Sequence, residues 1–124
     1  MKKKIRKKGI HILADFYQCQ CPIKNLTKKT LIKRKLEESV KRNGLNLLRS
    51  TFYSFCKNGG VTGMVLLSES HVALHTWPEK NYLTLDIFVC NYTENNTLKA
   101  HYVYKDLYKF FEPKKVIKKI LYRE

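Results

Sequence analysis

The chain has 124 residues and a formal net charge of +15, from 25 basic and 10 acidic residues. An apolar share of 44% is typical of one folded domain spanning residues 1–124 and excludes a disordered chain. No apolar run approaches the ~20 residues of a membrane span. The basic N-terminus also lacks the apolar stretch of a signal peptide. We therefore expect a cytoplasmic protein that does not bind membranes.

The strong positive charge raises the alternative of a small nucleic-acid-binding protein. Its distribution weakens that alternative, because many basic residues lie in the first eight positions and others are scattered along predicted helix faces. We interpret them as solvated surface residues and expect no nucleic-acid partner. Four cysteines in a chain without an export signal are expected to be reduced thiols.

Hydrophobic periodicity predicts the elements of the N-terminal half. Alternating apolar residues indicate strands, and Asn25 or Thr27 can cap a helix whose packed face carries Leu26, Leu36 and Val40. In chain order we predict a flexible basic arm (1–8), a strand (9–16), a turn (19–22), a helix to about Arg42 and a strand (45–56).

The C-terminal half continues with strands and one long helix. The third strand is apolar on both faces and is therefore predicted to be central. In chain order we predict strand 62–68, its extension 72–76 after a break, strand 82–90, a polar loop (91–96), a helix (97–111) packed through Tyr104, Leu107, Tyr108 and Phe111, and an edge strand (116–122). This order predicts an α+β two-layer sandwich, a mainly antiparallel sheet with two helices on one face.

Reactive residue types crowd the segment between the third strand and the next core strand. Residues 68–79 read SESHVALHTWPE and include two glutamates, three polar hydroxyl residues, two histidines and the lone tryptophan. Loops held by a rigid scaffold are where catalytic residues tend to lie. The sequence therefore places a candidate site here.

The text ESHVALHTWPE, followed by LDIFVC, resembles the short S-adenosylmethionine decarboxylase proenzymes of bacteria and archaea. The stretches GIHILADFY and GVTG also match that family. The resemblance implies self-cleavage between Glu69 and Ser70, giving a β chain (1–69) and an α chain (70–124). It implies the same two-layer fold and a homodimer of cleaved protomers, with S-adenosylmethionine as the small-molecule substrate for spermidine synthesis.

The resemblance also implies the chemistry of maturation. The Ser70 hydroxyl attacks the Glu69 carbonyl and converts the amide into an ester, and His75 then removes the α-proton of Ser70. Elimination frees the Glu69 carboxylate, and loss of ammonia leaves a pyruvoyl group at position 70. This cofactor forms a Schiff base with the substrate amine and acts as the electron sink.

By the same resemblance, Thr62 supports processing through its hydroxyl and Cys90 returns a proton to the substrate carbon. The resemblance also implies three substrate-binding residues. Phe55 stacks on the adenine, Glu79 binds the ribose hydroxyls, and His71 contacts the substrate's base.

Two points stay open at the level of sequence. Ser70 and His75 differ by an odd number of positions, so a regular strand would put them on opposite faces, and they meet only if the backbone bends between them. A related pyruvoyl-dependent arginine or ornithine decarboxylase is an alternative function.

A zinc site at His71, His75 and Cys90 has weak ligand spacing, and we expect no metal.

Overall fold

Within the residues that the structure describes, 9–91 and 94–123, six antiparallel strands form one sheet. The predicted arm, residues 1–8, lies outside them. The computed structural model contains β1 (Gly9–Cys19), α1 (Lys24–Thr27), α2 (Lys29–Arg42), β2 (Leu47–Ser54), β3 (Val61–Leu67), β4 (Ser70–Trp77), a 3-10 helix (Pro78–Lys80), β5 (Tyr82–Cys90), α3 (Thr97–Phe111) and β6 (Pro113–Arg123). The sheet order is β2-β3-β4-β5-β1-β6.

One face of the sheet holds the hydrophobic core. Alternate residues of β1, among them Ile10, Ile12 and Phe16, are fully buried, as are Leu85 and Ile87 of β5. The long helices cover this face, with α2 against β2 and β3 and α3 against β1 and β5. Full burial of one such side chain contributes about 1.5–3 kcal/mol. The predicted two-layer α+β sandwich is confirmed.

The opposite face of the sheet is covered by none of the helices in residues 9–91 and 94–123. We call it the open face. Its central residues alternate with the buried ones and are His11 and Leu13 of β1, His71, Ala73 and His75 of β4, and Asp86 and Phe88 of β5. None of the described helices is long and apolar enough to cross a membrane.

Several predicted boundaries need correction. Residues 72–76 do not extend the third strand but belong to β4, which runs antiparallel to β3. The first predicted helix is interrupted at Lys28, whose φ of −93° and ψ of 101° are extended. Strand β2 is shorter than predicted, and β6 begins earlier, at Pro113.

The packed helix faces are largely those predicted. Leu26, Leu36 and Val40 are fully buried. On α3, Leu107 and Phe111 are also fully buried, whereas Tyr108 is 43% exposed and Tyr104 is partly buried. The reason is that Ala100 and Val103, seven and four positions before Leu107, complete the stripe that faces the sheet.

A polar cluster joins α2 to α3. The carboxylate of Asp106 accepts hydrogen bonds from Ser39 Oγ at 2.6 Å and Asn43 Nδ2 at 3.1 Å, and it pairs with Arg42 at 2.5 Å. Burial by itself raises the pKa of Asp106, but the donors from Ser39, Arg42 and Asn43 outweigh burial and lower the pKa below its usual value. The ionised carboxylate therefore stabilises the packing of the two helices.

We predict that Asp106→Asn lowers the free energy of unfolding by about 1–3 kcal/mol at neutral pH. Because folding depresses the pKa, the carboxylate's contribution is complete above about pH 4 and is lost as the pH falls through the folded-state pKa. Urea unfolding at pH 7 and pH 3 measures both effects. Glu38→Gln, on the exposed side of α2, is the matched control and should change little. An equal deficit at both pH values contradicts the prediction.

Candidate active site

A two-residue turn, Ser68 and Glu69, connects β3 to β4. Leu67 pairs with Ser70 across the turn, so the chain reverses where Glu69 meets Ser70. Glu69 has a φ of +59°, in the left-handed region. For a side chain without a compact hydrogen-bonding group this conformation costs roughly 1–2 kcal/mol. The strain lies in the residue that supplies the carbonyl of the Glu69–Ser70 peptide.

The Ser70 hydroxyl is held by the backbone of the neighbouring strand. Cys90 N–H donates a hydrogen bond to Ser70 Oγ at 2.8 Å. The Cys90 thiol donates to the Glu69 carboxylate at 3.5 Å. The pairing of β4 with β5 reaches His71 and Phe88, and the hydrogen bond from Cys90 N–H places Ser70 beside the last residue of β5. Glu69, Ser70 and Cys90, three predicted site residues, are therefore brought together.

Two asparagines that the sequence did not single out support this group. Asn96 Nδ2 donates to the carbonyl of Cys90 at 2.9 Å and fixes the end of β5. Asn46 Nδ2 donates to Ser68 Oγ at 2.7 Å, and Ser68 N–H donates to Asn46 O at 3.2 Å. An asparagine in a polar loop gives no sequence signal for such contacts, since they depend on how the loop folds against the end of a strand.

A second group of predicted residues lies at the other end of β4. Thr62 Oγ1 and His75 Nδ1 are hydrogen-bonded at 2.9 Å across the β3–β4 pair. They line a cavity of about 360 Å³. The other predicted residues in its lining are Phe55, which is 64% exposed, and Glu79 of the 3-10 helix. Trp77 also lines it, with its ring 6.1 Å from that of His75.

Ser70 and His75 are not brought together within one chain. Strand β4 is paired without interruption with β3 and β5 between these residues. Five residues of a strand span about 16 Å. No bend or bulge shortens this distance, and the two-residue period places the side chains on opposite faces. Each chain thus carries two separate groups of predicted site residues.

His71 lies on the open face between the two groups. Its ring is 5.7 Å from the ring of Phe88 and 6.3 Å from that of His11. Burial is the main cause that lowers the pKa of His11, so its imidazole favours the neutral form. No three potential metal ligands cluster among the described residues, and His71, His75 and Cys90 do not converge.

Sequence comparisons with known proteins point to one family. The sequence model of the family described as S-adenosylmethionine decarboxylase matches residues 10–124. The S-adenosylmethionine decarboxylase proenzyme of Persephonella marina is 36% identical over 115 residues, 93% of this chain and 81% of the relative. That of Acetivibrio thermocellus is 42% identical over 82 residues, 66% of this chain and 64% of the relative.

The fold agrees as well. The crystal structure of the adenosylmethionine decarboxylase from Aquifex aeolicus superposes with a TM-score of 0.83 and 31% sequence identity, over 96% of this chain and 92% of that one. The matched relatives are proenzymes, which places this chain in a class of self-processing enzymes. The chain belongs to the S-adenosylmethionine decarboxylase family. Membership confirms the predicted enzyme class and its cofactor, a pyruvoyl group formed from a serine on self-cleavage.

We predict that Glu69→Gly relieves the backbone strain at the turn and, in an uncleaved Ser70→Ala background, raises the free energy of unfolding by up to about 1 kcal/mol. Urea unfolding measures the change. Asn81, which also has a positive φ of 49°, provides the matched control. Asparagine tolerates this region better than glutamate, so Asn81→Gly should gain less. A loss of stability in Glu69→Gly argues against strain at this turn.

Proposed function

We propose that this protein decarboxylates S-adenosylmethionine with a pyruvoyl group derived from Ser70, after cleaving its own Glu69–Ser70 bond. The observation that carries the proposal is the left-handed Glu69 directly before a serine whose hydroxyl is fixed by Cys90 N–H. The pyruvoyl group supplies the carbonyl that withdraws electrons from the substrate carbon as carbon dioxide leaves. The predicted cytoplasmic location remains a prediction.

The residues present fit the formation of this group. Because Ser70 Oγ accepts a hydrogen bond from Cys90 N–H, its own proton is directed elsewhere and its oxygen is held beside the Glu69 carbonyl. Attack forms the Glu69–Ser70 ester and transfers the acyl group from nitrogen to oxygen. Removal of the Ser70 α-proton expels the Glu69 carboxylate. One water then enters and one ammonia leaves as residue 70 becomes pyruvoyl.

Cys90 is the proposed acid of the catalytic cycle. Its thiol lies at the same end of β4 as Ser70 and 3.5 Å from the Glu69 carboxylate. Release of the Glu69 segment after cleavage would end this contact on the side of the thiol that we propose faces the substrate. A proton delivered to the substrate carbon completes the decarboxylation, whereas one delivered to residue 70 would inactivate the enzyme.

The wide separation of Ser70 from His75 supports a homodimer with composite sites. In this dimer the two open faces pack against each other, and the two-fold axis lies between them. It passes over β4 near Ala73, perpendicular to the strand, and so sets the two copies of β4 antiparallel. Ser70 and Cys90 of one protomer then approach His75 of the partner subunit. Each site would combine these residues with Phe55, Thr62 and Glu79 of the partner subunit.

Strand parity groups Ser70 with the fully buried Val72 and not with His75 on the open face. The Cα–H bond of a strand residue lies close to the sheet plane and points to the neighbouring strand. His75 of the same strand therefore has no path to the Ser70 α-hydrogen. In the proposed dimer, the turn at Glu69 and Ser70 presents that hydrogen to the base of the partner subunit.

The open face also has the surface expected of an interface. It bears exposed apolar side chains near both sheet edges, which water covers unfavourably in a monomer. Among them are Tyr53 (61% exposed), Leu66 (40%), Ile117 (51%) and Leu121 (51%). The proposed dimer would bury them between its two copies.

The second group favours S-adenosylmethionine as the substrate. Phe55 and Glu79 line one cavity of about 360 Å³, which offers an aromatic face for adenine and a carboxylate for ribose hydroxyls. A net charge of +15 does not attract a cationic sulfonium through the overall field, so recognition must be local. Arginine and ornithine need neither an adenine nor a ribose contact.

We predict that the cleaved protein releases labelled carbon dioxide from carboxyl-labelled S-adenosylmethionine and not from arginine or ornithine. Denaturing mass analysis should show chains 1–69 and 70–124, whose masses sum to the proenzyme plus about one dalton. Ser70→Ala should stay whole and inactive. Release of carbon dioxide from arginine or ornithine alone contradicts the substrate assignment but not the assignment of the pyruvoyl cofactor.

The composite site makes a sharper prediction about which chain is cut. In a mixed dimer of a His75→Ala chain and a Cys90→Ala chain, distinguished by their tags, the His75→Ala chain should be cleaved because its partner supplies His75. The Cys90→Ala chain should stay whole. Mass analysis of the purified mixed dimer reads this out directly.

The two homodimers are the controls for this experiment. The Cys90→Ala homodimer should cleave and the His75→Ala homodimer should not. If His75 acts within its own chain, the mixed dimer shows the opposite pattern, with only the Cys90→Ala chain cut, and the composite site is then wrong.

A further inference from the structure

A small cavity lies on the helix side of the Ser68–Glu69 turn, apart from the larger one at the other end of β4. Its volume is about 170 Å³. Its walls come from the loop after α2, the turn itself and the start of α3. We call it the helix-side cavity, and the lining residues that matter here are Asn46, Ser68, Glu69, Ser70, Glu94 and Lys99.

Lys99 is the only basic residue among the described residues that line this cavity. It lies in the first turn of α3, with Nζ 3.2 Å from Glu94 Oε2 and 3.4 Å from the carbonyl oxygen of Gly44. The Lys99 side chain is 30% exposed and that of Glu94 is 65% exposed. An ion pair at the surface contributes about 0–1 kcal/mol. Lys99 can therefore exchange Glu94 for another carboxylate at little cost.

Self-cleavage creates such a carboxylate. The Glu69 carbonyl belongs to a neutral amide in the intact chain and to an anionic chain end after the cut. Glu69 and Glu94 are already the acidic members of the lining. A carboxylate that is withdrawn from water needs a cationic partner. Lys99 is the group in the described lining that can supply one.

The position of Ser68 limits where the new chain end can go. Its N–H and its hydroxyl are both bonded to Asn46, at 3.2 Å and 2.7 Å, and neither contact involves the bond that breaks. Glu69, once cut, can leave its left-handed conformation by rotating about Ser68. Its Cα stays about 3.8 Å from that of Ser68, at the rim of the cavity, and residue 70 is left open to substrate.

We propose that the helix-side cavity binds the carboxylate formed at Glu69, with Lys99 as its cation. This inference rests on the proposed function in taking Glu69–Ser70 as the bond that is cut. The ligand class of the site is a carboxylate, and its ligand is the chain's own new terminus. By holding that end, Lys99 is a positioning residue that keeps the β chain away from residue 70.

Carboxypeptidase digestion of the fully cleaved protein tests the proposal, with the mass of chain 1–69 followed over time. Wild-type protein should keep Glu69. Lys99→Met should lose it at least about tenfold faster, as expected when a charge-assisted hydrogen bond is removed. Lys99→Arg should restore protection, and Glu94→Gln should retain it. Raising the salt from low to molar concentration should speed trimming of the wild type, because the ion pair is screened.

Lys105→Met is the matched control, since Lys105 is exposed on the same helix and outside the cavity lining; it should behave as wild type. Equal trimming of wild type and Lys99→Met overturns the proposal, as does equal acceleration by Lys105→Met. The mass spectrum taken before digestion distinguishes failure of the proposed cleavage at Glu69–Ser70 from failure of the proposed carboxylate site at Lys99. Absence of a 1–69 chain overturns the cleavage assignment and this inference with it, whereas a 1–69 chain trimmed equally in both proteins overturns this inference alone.

Discussion

The pairing of β4 with β3 on one side and β5 on the other sets the distances on which the site depends. It places Ser70 beside Cys90, and Thr62 beside His75. It also keeps Ser70 and His75 about 16 Å apart, because an uninterrupted strand between two neighbours cannot shorten. A shift of one residue in either register would exchange the buried and open faces of β4. The core and the site are therefore specified by the same hydrogen bonds.

The sheet and helices follow from local patterns that a single sequence displays. Apolar alternation in β1 and β5 and the stripe ending in Leu107 and Phe111 are strong signals, and the structure agrees with them. The reversal at Ser68 and Glu69 gives no such signal. Turns of this length favour glycine or asparagine where φ is positive, and glutamate occupies that position. Residue preferences describe unstrained turns, so they do not predict a turn that places glutamate at a positive φ.

The candidate site shows the same division. Glu69, Ser70, Cys90 and their chemistry could be read from a short motif that resembles a known family. The contacts of Asn46 and Asn96 could not, since they depend on how the folded loops lie against the ends of the strands. Nor could the sequence show that Ser70 and His75 lie at different ends of an uninterrupted strand. The two-residue period of a strand predicted that their side chains do not meet. The uninterrupted pairing of β4 shows that they do not meet within one chain.

The donor that holds Ser70 Oγ is the backbone N–H of Cys90 and not a side chain. Every residue type except proline has that N–H. The side chain at position 90 is thus free to vary without loss of the contact that orients the nucleophile. In the proposed mechanism, maturation uses the backbone of residue 90 and turnover uses its side chain, so mutation can separate the two. A lineage could change the acid that finishes the reaction and still inherit a chain able to make its own cofactor.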